Sequence, residues 1–369
     1  MLSDSASLPP SLPAAASTLS QQLVAWFEAH RRELPWRTDR TAYRVWLAEV
    51  MLQQTRVSVV VDYFQRFVAR FPDVKDLAAA GEDDVLSMWS GLGYYARGRN
   101  LHKAAQAVAR EHGGVFPSTS AGLAGLPGIG SYTAAAVASL AFGEQVAVLD
   151  GNVARVLSRL SDDDTPIDTP AGKARFTAAA QQLVDAHPSS SLINEGLMEL
   201  GALVCTPRSP SCGACPWSSS CAGRARAASL PVKSKKKARV SVRIACVVLR
   251  DEHERVWLEK RASAGLFGGL WEPPGVVVDG DVAVSVEQGW RQALLERTVA
   301  APAIFQAPII VERVLTHREL RFEIALVTTT TAATSIGSGQ WFGESEIKTV
   351  GTSTAVRAVL AAVRERRLF

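Results

Sequence analysis

The chain has 369 residues, which is enough for two or three domains and a substantial core. Apolar residues make up 47% and charged residues 21%, as in soluble globular proteins, and no apolar run approaches the roughly 20 residues of a membrane-spanning helix. The net charge of +4 is compatible with a nucleic-acid partner but too small to identify one, so the partner has to be inferred from motifs.

The chain begins with a stretch, residues 1–17, that is rich in Ser, Pro and Ala and lacks the basic start and apolar core of a signal peptide. We expect a disordered tail here and a cytoplasmic protein. From residue 18 to 228, apolar residues recur at intervals of three and four, as at Leu23, Trp26 and Phe27, with short breakers between the runs. This pattern predicts an all-α domain.

A lysine-rich segment, residues 229–240, predicts an exposed linker that could also touch a phosphate backbone. Beyond it, apolar runs of β type indicate strands, and helical patterns lie near 286–297 and 354–367. Residues 241–369 are therefore expected to form a second domain of α+β type. Cys246, within one strand run, is best explained as a small buried apolar residue.

Two glycines flank Ile129 in a tight turn that follows Pro127 and precedes a run of alanines. Gly128 and Gly130 permit unusual backbone angles and close approach of another molecule. A helix that begins near Ser131 would direct its free N–H groups at an anion such as a phosphate. The alternative is an ordinary loop that caps a helix, which is what a lone GxG usually is.

Two carboxylates stand in contexts that suit acid–base chemistry. Glu49 is the one charged residue in the run Trp46–Leu52, and a carboxyl held among apolar neighbours favours its protonated form, as a general acid requires. Asp150 lies 20 residues beyond Gly130, so a helix and a return turn could bring it beside the phosphate site. One protonated and one ionised carboxyl suit cleavage of a glycosidic bond. The alternatives are a solvent-facing or arginine-paired Glu49 and a plain helix-capping role for Asp150.

Four cysteines, Cys205, Cys212, Cys215 and Cys221, lie within seventeen residues with the spacing C-x6-C-x2-C-x5-C. Thiols this close together predict a metal centre, because disulfides are rare in a reducing cytoplasm. The spacing alone allows either an iron–sulfur cluster or a four-thiolate zinc site.

The segment Gly91–Arg99 reads GLGYYARGR and could stack on bases and neutralise phosphates, although tyrosines at helix ends more often pack into cores. The polar triplet Gln53-Gln54-Thr55 ends an apolar helix. It could likewise contact DNA, or it could be a simple C-terminal cap.

Taken together, these motifs resemble the MutY-type adenine DNA glycosylases of the helix-hairpin-helix superfamily. The resemblance runs from about Leu34 to Cys221 and continues more weakly through the second domain. Its carriers are LPW at Leu34, WLAEVMLQQT at Trp46, GLGYYARGRNLHKAA at Gly91, LPGIGSYTAAA at Leu126, VLDGNVARV at Val148 and the four cysteines.

The resemblance implies a helix-hairpin-helix over about 121–141, in which Leu126, Gly128 and Gly130 hold a DNA phosphate. It also implies a [4Fe–4S] cluster on the four cysteines. Gln54 and Tyr94 match positions of the family whose side chains insert into the DNA near the opposing base.

For the chemistry, the resemblance implies that Glu49 protonates adenine as the leaving group. Asp150 would stabilise or transiently bond the sugar cation, with support from Tyr132 and Asn152. The target adenine would leave the base stack to reach these groups. Positions that line the family's base pocket are matched by Trp36, Arg37 and Glu195.

Tyr132 occupies the position at which the endonuclease III type carries a lysine that forms a Schiff base and leads to strand cleavage. The resemblance therefore implies a monofunctional DNA glycosylase of base excision repair. It would be a monomer that hydrolyses the N-glycosidic bond of adenine mispaired with 8-oxoguanine or guanine in double-stranded DNA, associated with the bacterial nucleoid and not with membranes. The alternatives are a glycosylase-lyase of the endonuclease III type and a catalytically inactive iron–sulfur or zinc DNA-binding protein.

The second domain resembles the Nudix-like module with which such glycosylases recognise 8-oxoguanine, through the stretch GLFGGLWEPPG at Gly265. An active Nudix hydrolase needs a glutamate cluster for Mg²⁺, whereas WRQALLER offers only Glu296, which indicates a lesion reader. Leu315-Thr316-His317 stands where the family commonly has Phe-Ser-His. Thr316 and His317 would therefore recognise 8-oxoguanine, while the stacking aromatic is lost.

Overall fold

The residues described by this computed structural model are 12, 14–234, 238–262, 265, 267–278, 285–315, 317–329 and 339–365. The chain forms two compact units, one of Met1–Ala79 with Asn100–Lys236 and one of Ala80–Arg99 with Lys237–Phe369. The segment Ala80–Arg99 thus packs with the C-terminal half, although it lies inside the stretch assigned to the helical domain.

The described part of the first half is helical, as predicted. Its helices are α1 (Ala16–His30), α2 (Pro35–Thr38), α3 (Ala42–Leu52), α4 (Val57–Arg70), α5 (Val74–Ala79), α6 (Glu82–Met88), α7 (Ala96–Glu111), α8 (Ser120–Ala124), α9 (Ser131–Phe142), α10 (Gly151–Leu160), α11 (Pro170–Asp185) and α12 (Ser190–Leu203). Of these, α6 and the first residues of α7 belong to the C-terminal unit.

The helical unit is held together by the apolar faces of α1, α10, α11 and α12. They contribute buried side chains such as Phe27, Leu157 and Phe176 to one core. Trp217, which lies in the cysteine-rich loop, is buried in the same core and donates its indole N–H to the Leu19 carbonyl at 3.0 Å. This contact fixes the loop on the helices.

Helix α9 is slim because it is built from small residues. Ala134, Ala136 and Ala138 are at most 1% exposed, and both α3 and α12 pack against this helix. The small side chains therefore allow both neighbouring helices to come close to α9. This packing places residues of α3, α9 and α12 around one cavity.

The C-terminal unit is of α+β type, as predicted. Its strands are β1 (Val240–Arg250), β2 (Val256–Lys260), β3 (Trp271–Glu272), β4 (Gly275–Val277), β5 (Ile309–Val314), β6 (Arg318–Thr328) and β7 (Gly339–Phe342), and its later helices are α13 (Val286–Leu295), α14 (Glu344–Ile347) and α15 (Thr354–Glu365). The strand order is β3-β2-β1-β6-β5, with β4 paired to β1 and β7 paired to β2. Strands β1 and β6 run parallel, and the other pairs run antiparallel.

Strand β1 is apolar over residues 245–249 because both of its faces are covered there. Ala245 and Val247 pack on one face against Trp290 of α13. Cys246 and Val248 pack on the other face against α15. Successive side chains of a strand point to opposite faces, so this pattern is the one a doubly covered strand requires. Cys246 is 3% exposed, which confirms its interpretation as a buried apolar residue.

Two contacts show why Ala80–Arg99 belongs to the C-terminal unit. Tyr95 donates its hydroxyl to the Thr352 carbonyl at 2.6 Å. Arg99 donates from its guanidinium to the Gly268 carbonyl. The partners are 257 and 169 positions apart, so local sequence patterns give no sign of this grouping.

The predicted boundaries shift at two places. Helix α1 already begins at Ala16, so the predicted tail 1–17 is too long by two residues; most of the tail lies outside the described residues. The predicted linker 229–240 ends one residue earlier, because Val240 belongs to β1. Within the described ranges, none of the helices has the length and apolar character needed to cross a membrane.

Candidate active site

A cavity of about 440 Å³ opens in the helical unit between α2, α3, α9, α10 and α12. The predicted site residues that line it are Trp36, Arg37, Glu49, Gln54, Tyr132, Asp150, Asn152 and Glu195. These residues come from distant parts of the sequence. Folding therefore assembles the predicted acid, the predicted anion and the predicted base pocket around one space.

Glu49 lies on α3 and is 6% exposed. Its Oε2 accepts a hydrogen bond from the Tyr132 hydroxyl at 2.8 Å, so its partner is a tyrosine and not an arginine. Burial raises the pKa of Glu49 to about 7; the bond from Tyr132 opposes this rise, and the nearby Asp150 and Glu195 add to it. Glu49 can therefore keep its proton near neutral pH, as a general acid must.

Asp150 is the N-cap of α10, because its Oδ1 accepts the Val153 N–H at 2.7 Å. Its Oδ2 accepts a hydrogen bond from the Asn152 side chain at 3.0 Å. Burial raises the pKa of Asp150, while these hydrogen bonds and the positive charge of Arg155 oppose the rise. Asp150 thus caps a helix and lines the cavity, so the two interpretations of this residue are compatible.

Tyr132 contacts the predicted acid and not the other carboxylate. The resemblance implied that both Tyr132 and Asn152 support Asp150. In the structure the Tyr132 hydroxyl donates to Glu49 instead. Asn152 does hold Asp150, as expected. The tyrosine therefore acts on the protonation of Glu49.

Arg155 connects Asn152 with the cysteine-rich loop. Its guanidinium donates to the Asn152 side-chain oxygen at 2.8 Å, to the Cys205 carbonyl at 2.8 Å and to the Gly201 carbonyl at 2.9 Å. Asp150 is thus joined to the loop by a chain of hydrogen bonds. Arg155 was not among the predicted site residues, because an arginine as the fifth residue of α10 carries no local signal of a role.

Five charged side chains form one wall of the cavity: Arg32, Arg37, Arg40, Glu195 and Glu199. Arg37 donates to Glu195 at 2.9 Å and pairs with Glu199 at 3.2 Å. Arg40 binds the second oxygen of Glu195 at 2.8 Å. Burial alone would raise the pKa of Glu199, but hydrogen bonds from Arg32 and Arg37 lower it to about 2. Arg32, Arg40 and Glu199 were not among the predicted site residues. The i, i+4 spacing of the two glutamates on α12 was the available signal.

The glycine turn between α8 and α9 contains one glycine that the backbone requires. Gly128 has a φ of +71°, and a Cβ added there would lie 2.4 Å from the Asn100 Cβ. Gly130 is the N-cap of α9 with open space around it, and its φ of −83° is one that any residue can adopt, so the expected unusual backbone angle is absent at this position. Leu126 is 5% exposed, and its backbone N–H donates to the Leu123 carbonyl at 3.1 Å. The helix predicted to begin near Ser131 does begin there.

The four cysteines surround one small space. Cys205, Cys212, Cys215 and Cys221 line it together with Arg159, whose guanidinium nitrogen lies 3.3 Å from the Cys205 Sγ. In the part of the chain that the structure describes, no three His, Cys, Asp or Glu side chains are placed to hold a single metal ion. Four cysteine thiolates are the usual ligands of an iron–sulfur cluster, so this donor set fits such a cluster.

Two residues selected for recognition of the opposing base, Tyr94 and His317, line one cavity of about 490 Å³ in the C-terminal unit. Other residues of its lining are Arg99, Phe267 and Leu315. Tyr94 is 48% exposed and has a φ of +49°, which is uncommon for a bulky residue. Gln54 lines the cavity of the helical unit instead, and Thr316 lies outside the described residues.

Comparisons with family models agree with this architecture. Residues 47–175 match the HhH-GPD superfamily base excision DNA repair protein, residues 205–221 match the iron–sulfur binding domain of endonuclease III, and residues 245–362 match the NUDIX domain. The predicted fold class is confirmed. The four cysteines lie within this iron–sulfur binding domain, as the resemblance implied.

Known proteins that match the chain include adenine DNA glycosylases. The Rattus norvegicus protein is 33% identical over 409 residues, which cover 94% of this chain and 78% of that protein. The Mycolicibacterium smegmatis protein is 41% identical over 198 residues, which cover 53% of this chain and 67% of that protein. A solved thermostable thymine-DNA glycosylase is 25% identical with a TM-score of 0.50 and covers 57% of this chain and 97% of its own. The chain therefore belongs to the adenine DNA glycosylase family, as its motifs predicted.

Proposed function

We propose that this protein removes adenine mispaired with 8-oxoguanine or guanine from duplex DNA, acts as a monomer and leaves an abasic site. The observation that carries the proposal is one cavity faced by a buried, protonatable Glu49 and by the capped carboxylate of Asp150. Its volume of about 440 Å³ suits a base that has been turned out of the duplex.

The proposed reaction needs one proton donor and one anion. Glu49 gives its proton to the departing adenine, which leaves with both electrons of the glycosidic bond. Ionised Asp150 stabilises the positive charge that develops at C1′ of the sugar, or bonds to that carbon transiently. Water then supplies a hydroxyl group to C1′, and its remaining proton returns to Glu49. Asn152 supports this step, because its amide holds the Asp150 carboxylate in place.

The proposed base pocket consists of Trp36, Arg37 and Glu195. The Trp36 ring packs edge-on against Phe64 with the ring centroids 5.4 Å apart, which fixes its position. The guanidinium and the carboxylate supply the donors and acceptors that the edge of a purine base requires.

We infer that base removal is the enzyme's only chemical step. The described lining of the cavity includes arginines but no lysine, and Tyr132 takes the place of the lyase amine. Arginine stays protonated at neutral pH and cannot form a Schiff base. Borohydride should therefore trap no covalent complex on the 8-oxoguanine:adenine duplex, and efficient trapping would contradict this inference.

We propose that the C-terminal unit recognises 8-oxoguanine through Tyr94, Thr316 and His317. Support comes from the cavity that Tyr94 shares with His317. Leu315 provides no ring for stacking, whereas Phe267 in the same lining does. His317→Ala should reduce excision from the 8-oxoguanine:adenine duplex more than from the guanine:adenine duplex. An equal loss on both duplexes would argue against lesion recognition.

We also propose that Cys205, Cys212, Cys215 and Cys221 hold a [4Fe–4S] cluster. The cluster would cross-link the loop to the end of α12, which stabilises the fold on which α10 rests. Iron and acid-labile sulfide in equal amounts, four of each per chain, would support this proposal. A colourless protein with stoichiometric zinc would overturn it.

The decisive experiment is single-turnover excision on matched 8-oxoguanine:adenine and guanine:adenine duplexes, with and without alkali. We expect the wild-type protein to produce strand breaks that depend on alkali. Glu49→Gln and Asp150→Asn should each abolish base release while duplex binding persists, and Glu28→Gln on the exposed face of α1 is the matched control. Undiminished excision by either site variant would remove that residue from the mechanism.

A further inference from the structure

Glu199 is almost completely buried in the cavity wall, one helical turn after Glu195 on α12, and is 1% exposed. It accepts hydrogen bonds from the backbone N–H, the Nε and the Nη2 of Arg32 at 2.9, 2.8 and 2.8 Å. Arg37 donates to its two oxygens at 3.4 and 3.2 Å. Five donors saturate the carboxylate, so Glu199 has no position left for a base.

The contacts of Glu199 matter because they orient Arg37. The Nε of Arg37 donates to Glu195 at 2.9 Å, and its Nη1 donates to the Arg32 carbonyl at 2.9 Å. Its guanidinium also lies over the Phe27 ring at 5.3 Å. Without Glu199, both terminal nitrogens of Arg37 would lose an acceptor. The guanidinium would then be free to turn away from the cavity.

Glu199 also sets the charge of the wall. Three guanidiniums and two carboxylates give this wall a net charge of +1. The charges of the wall act on Glu49, since Arg37 lowers the pKa of Glu49 and Glu195 raises it. The other groups that face Glu49 are Tyr132 of α9 and Asp150 at the start of α10. Loss of one negative charge from the wall favours the ionised form of Glu49.

We propose that Glu199 is a positioning residue for base excision: it fixes Arg37 beside Glu195 and balances the charge of the wall that Glu49 faces. It acts through Arg37 and does not touch the base. The inference rests on the proposed function, because adenine excision is its main readout.

Glu199→Gln tests the proposal, since glutamine keeps the size and one acceptor but removes the charge. Single-turnover excision at neutral pH should fall about 10- to 100-fold, the loss expected when a binding group is displaced by about 1 Å. The alkaline limb of the pH–rate profile should move to lower pH, because Glu49 loses its proton earlier. Duplex binding and iron content should remain close to the wild type, since the Arg32 side chain is 34% exposed and water can solvate it.

The double variant Arg32→Gln with Glu199→Gln provides the matched control. It removes one charge of each sign and restores the net charge of the wall, so the alkaline limb should return toward its wild-type position. The excision rate should stay low, because Arg37 still lacks its clamp. If Glu199 had only a structural role, Glu199→Gln would lower the melting temperature. The alkaline limb would then neither move in the single variant nor return in the double variant.

Two results would overturn the proposal: a wild-type rate and limb in Glu199→Gln, or a shifted limb that the double variant does not restore. A wild-type protein that releases no adenine would contradict the proposed function instead. In that case the pH dependence of the free energy of unfolding still tests the role of Glu199. Between pH 4.5 and about 7 it reports the protonation of Glu49, and Glu199→Gln should weaken it in this range.

Discussion

Replacement of Glu49 by glutamine should abolish excision and at the same time stabilise the helical unit at neutral pH. Burial raises the pKa of Glu49 from an ordinary value of 4.5 to about 7 in the folded protein. The two values differ by about 2.5, and one pKa unit corresponds to about 1.4 kcal/mol. Burial of this carboxyl therefore destabilises the folded state by about 3 kcal/mol once the unfolded chain has ionised.

The sign of the pH dependence follows from the state that binds the proton more tightly. At pH values well below 4.5 the carboxyl is protonated in both states, and it does not affect the pH dependence of stability. As the pH rises from about 4.5 to about 7, the unfolded chain ionises first and stability is lost. Glutamine does not titrate. The variant should therefore exceed the wild type by about 3 kcal/mol at pH 8 but by only about 1 kcal/mol at pH 5.

Thermal unfolding followed by near-UV circular dichroism at the two pH values measures this difference. A domain of this size changes its melting temperature by about 2–4 °C per kcal/mol, so the variant should melt about 6–12 °C higher at pH 8. Glu28→Gln, on an exposed position of α1, should show no such pH dependence. Equal melting temperatures of Glu49→Gln and wild type at pH 8 would refute the reasoning, and so would the same difference at both pH values.

Three further variants and one control test other contacts of the helical unit. Tyr132→Phe removes the hydrogen bond that lowers the pKa of Glu49, so the alkaline limb of the excision profile should move to higher pH. Gly128→Ala should destabilise the helical unit by about 1–2 kcal/mol in urea unfolding and weaken duplex binding; Gly130→Ala, at a φ of −83°, should leave stability unchanged. Arg155→Gln removes the hydrogen bond to the Asn152 amide, which holds Asp150. The single-turnover excision rate should therefore fall, while the iron content of the protein stays unchanged.

The parts of the site that the sequence predicted are those with a local signal. Glu49 is the one charge in an apolar run, and the structure buries it on α3 for that reason. Asp150 stands before a helical pattern, where a carboxylate is the expected N-cap. The helix after Gly130 begins at Ser131, because a glycine turn and a run of alanines define its start. In each case the nearest residues in sequence determine the environment.

The parts that the sequence did not predict depend on contacts between distant residues. Arg32 and Glu199 are 167 positions apart, and their pairing exists only after α12 has packed beside α1 and α2. The grouping of Ala80–Arg99 with the C-terminal half has the same cause, since Tyr95 meets Thr352 across 257 positions. Spacing within one helix can suggest that two glutamates share a face, but it does not show which arginines pair with them.

The two carboxyls of the site differ in the donors that they receive. Burial raises both pKa values, but Asp150 receives two N–H donors at the positive end of α10, whereas Glu49 receives one hydroxyl in the middle of α3. The donors at Asp150, together with Arg155, oppose the rise of its pKa that burial causes. Its negative charge in turn raises the pKa of Glu49, so the anion helps to keep the proton on the acid. Asp150→Asn should accordingly lower the pKa of Glu49 as well as remove the group that stabilises the sugar cation.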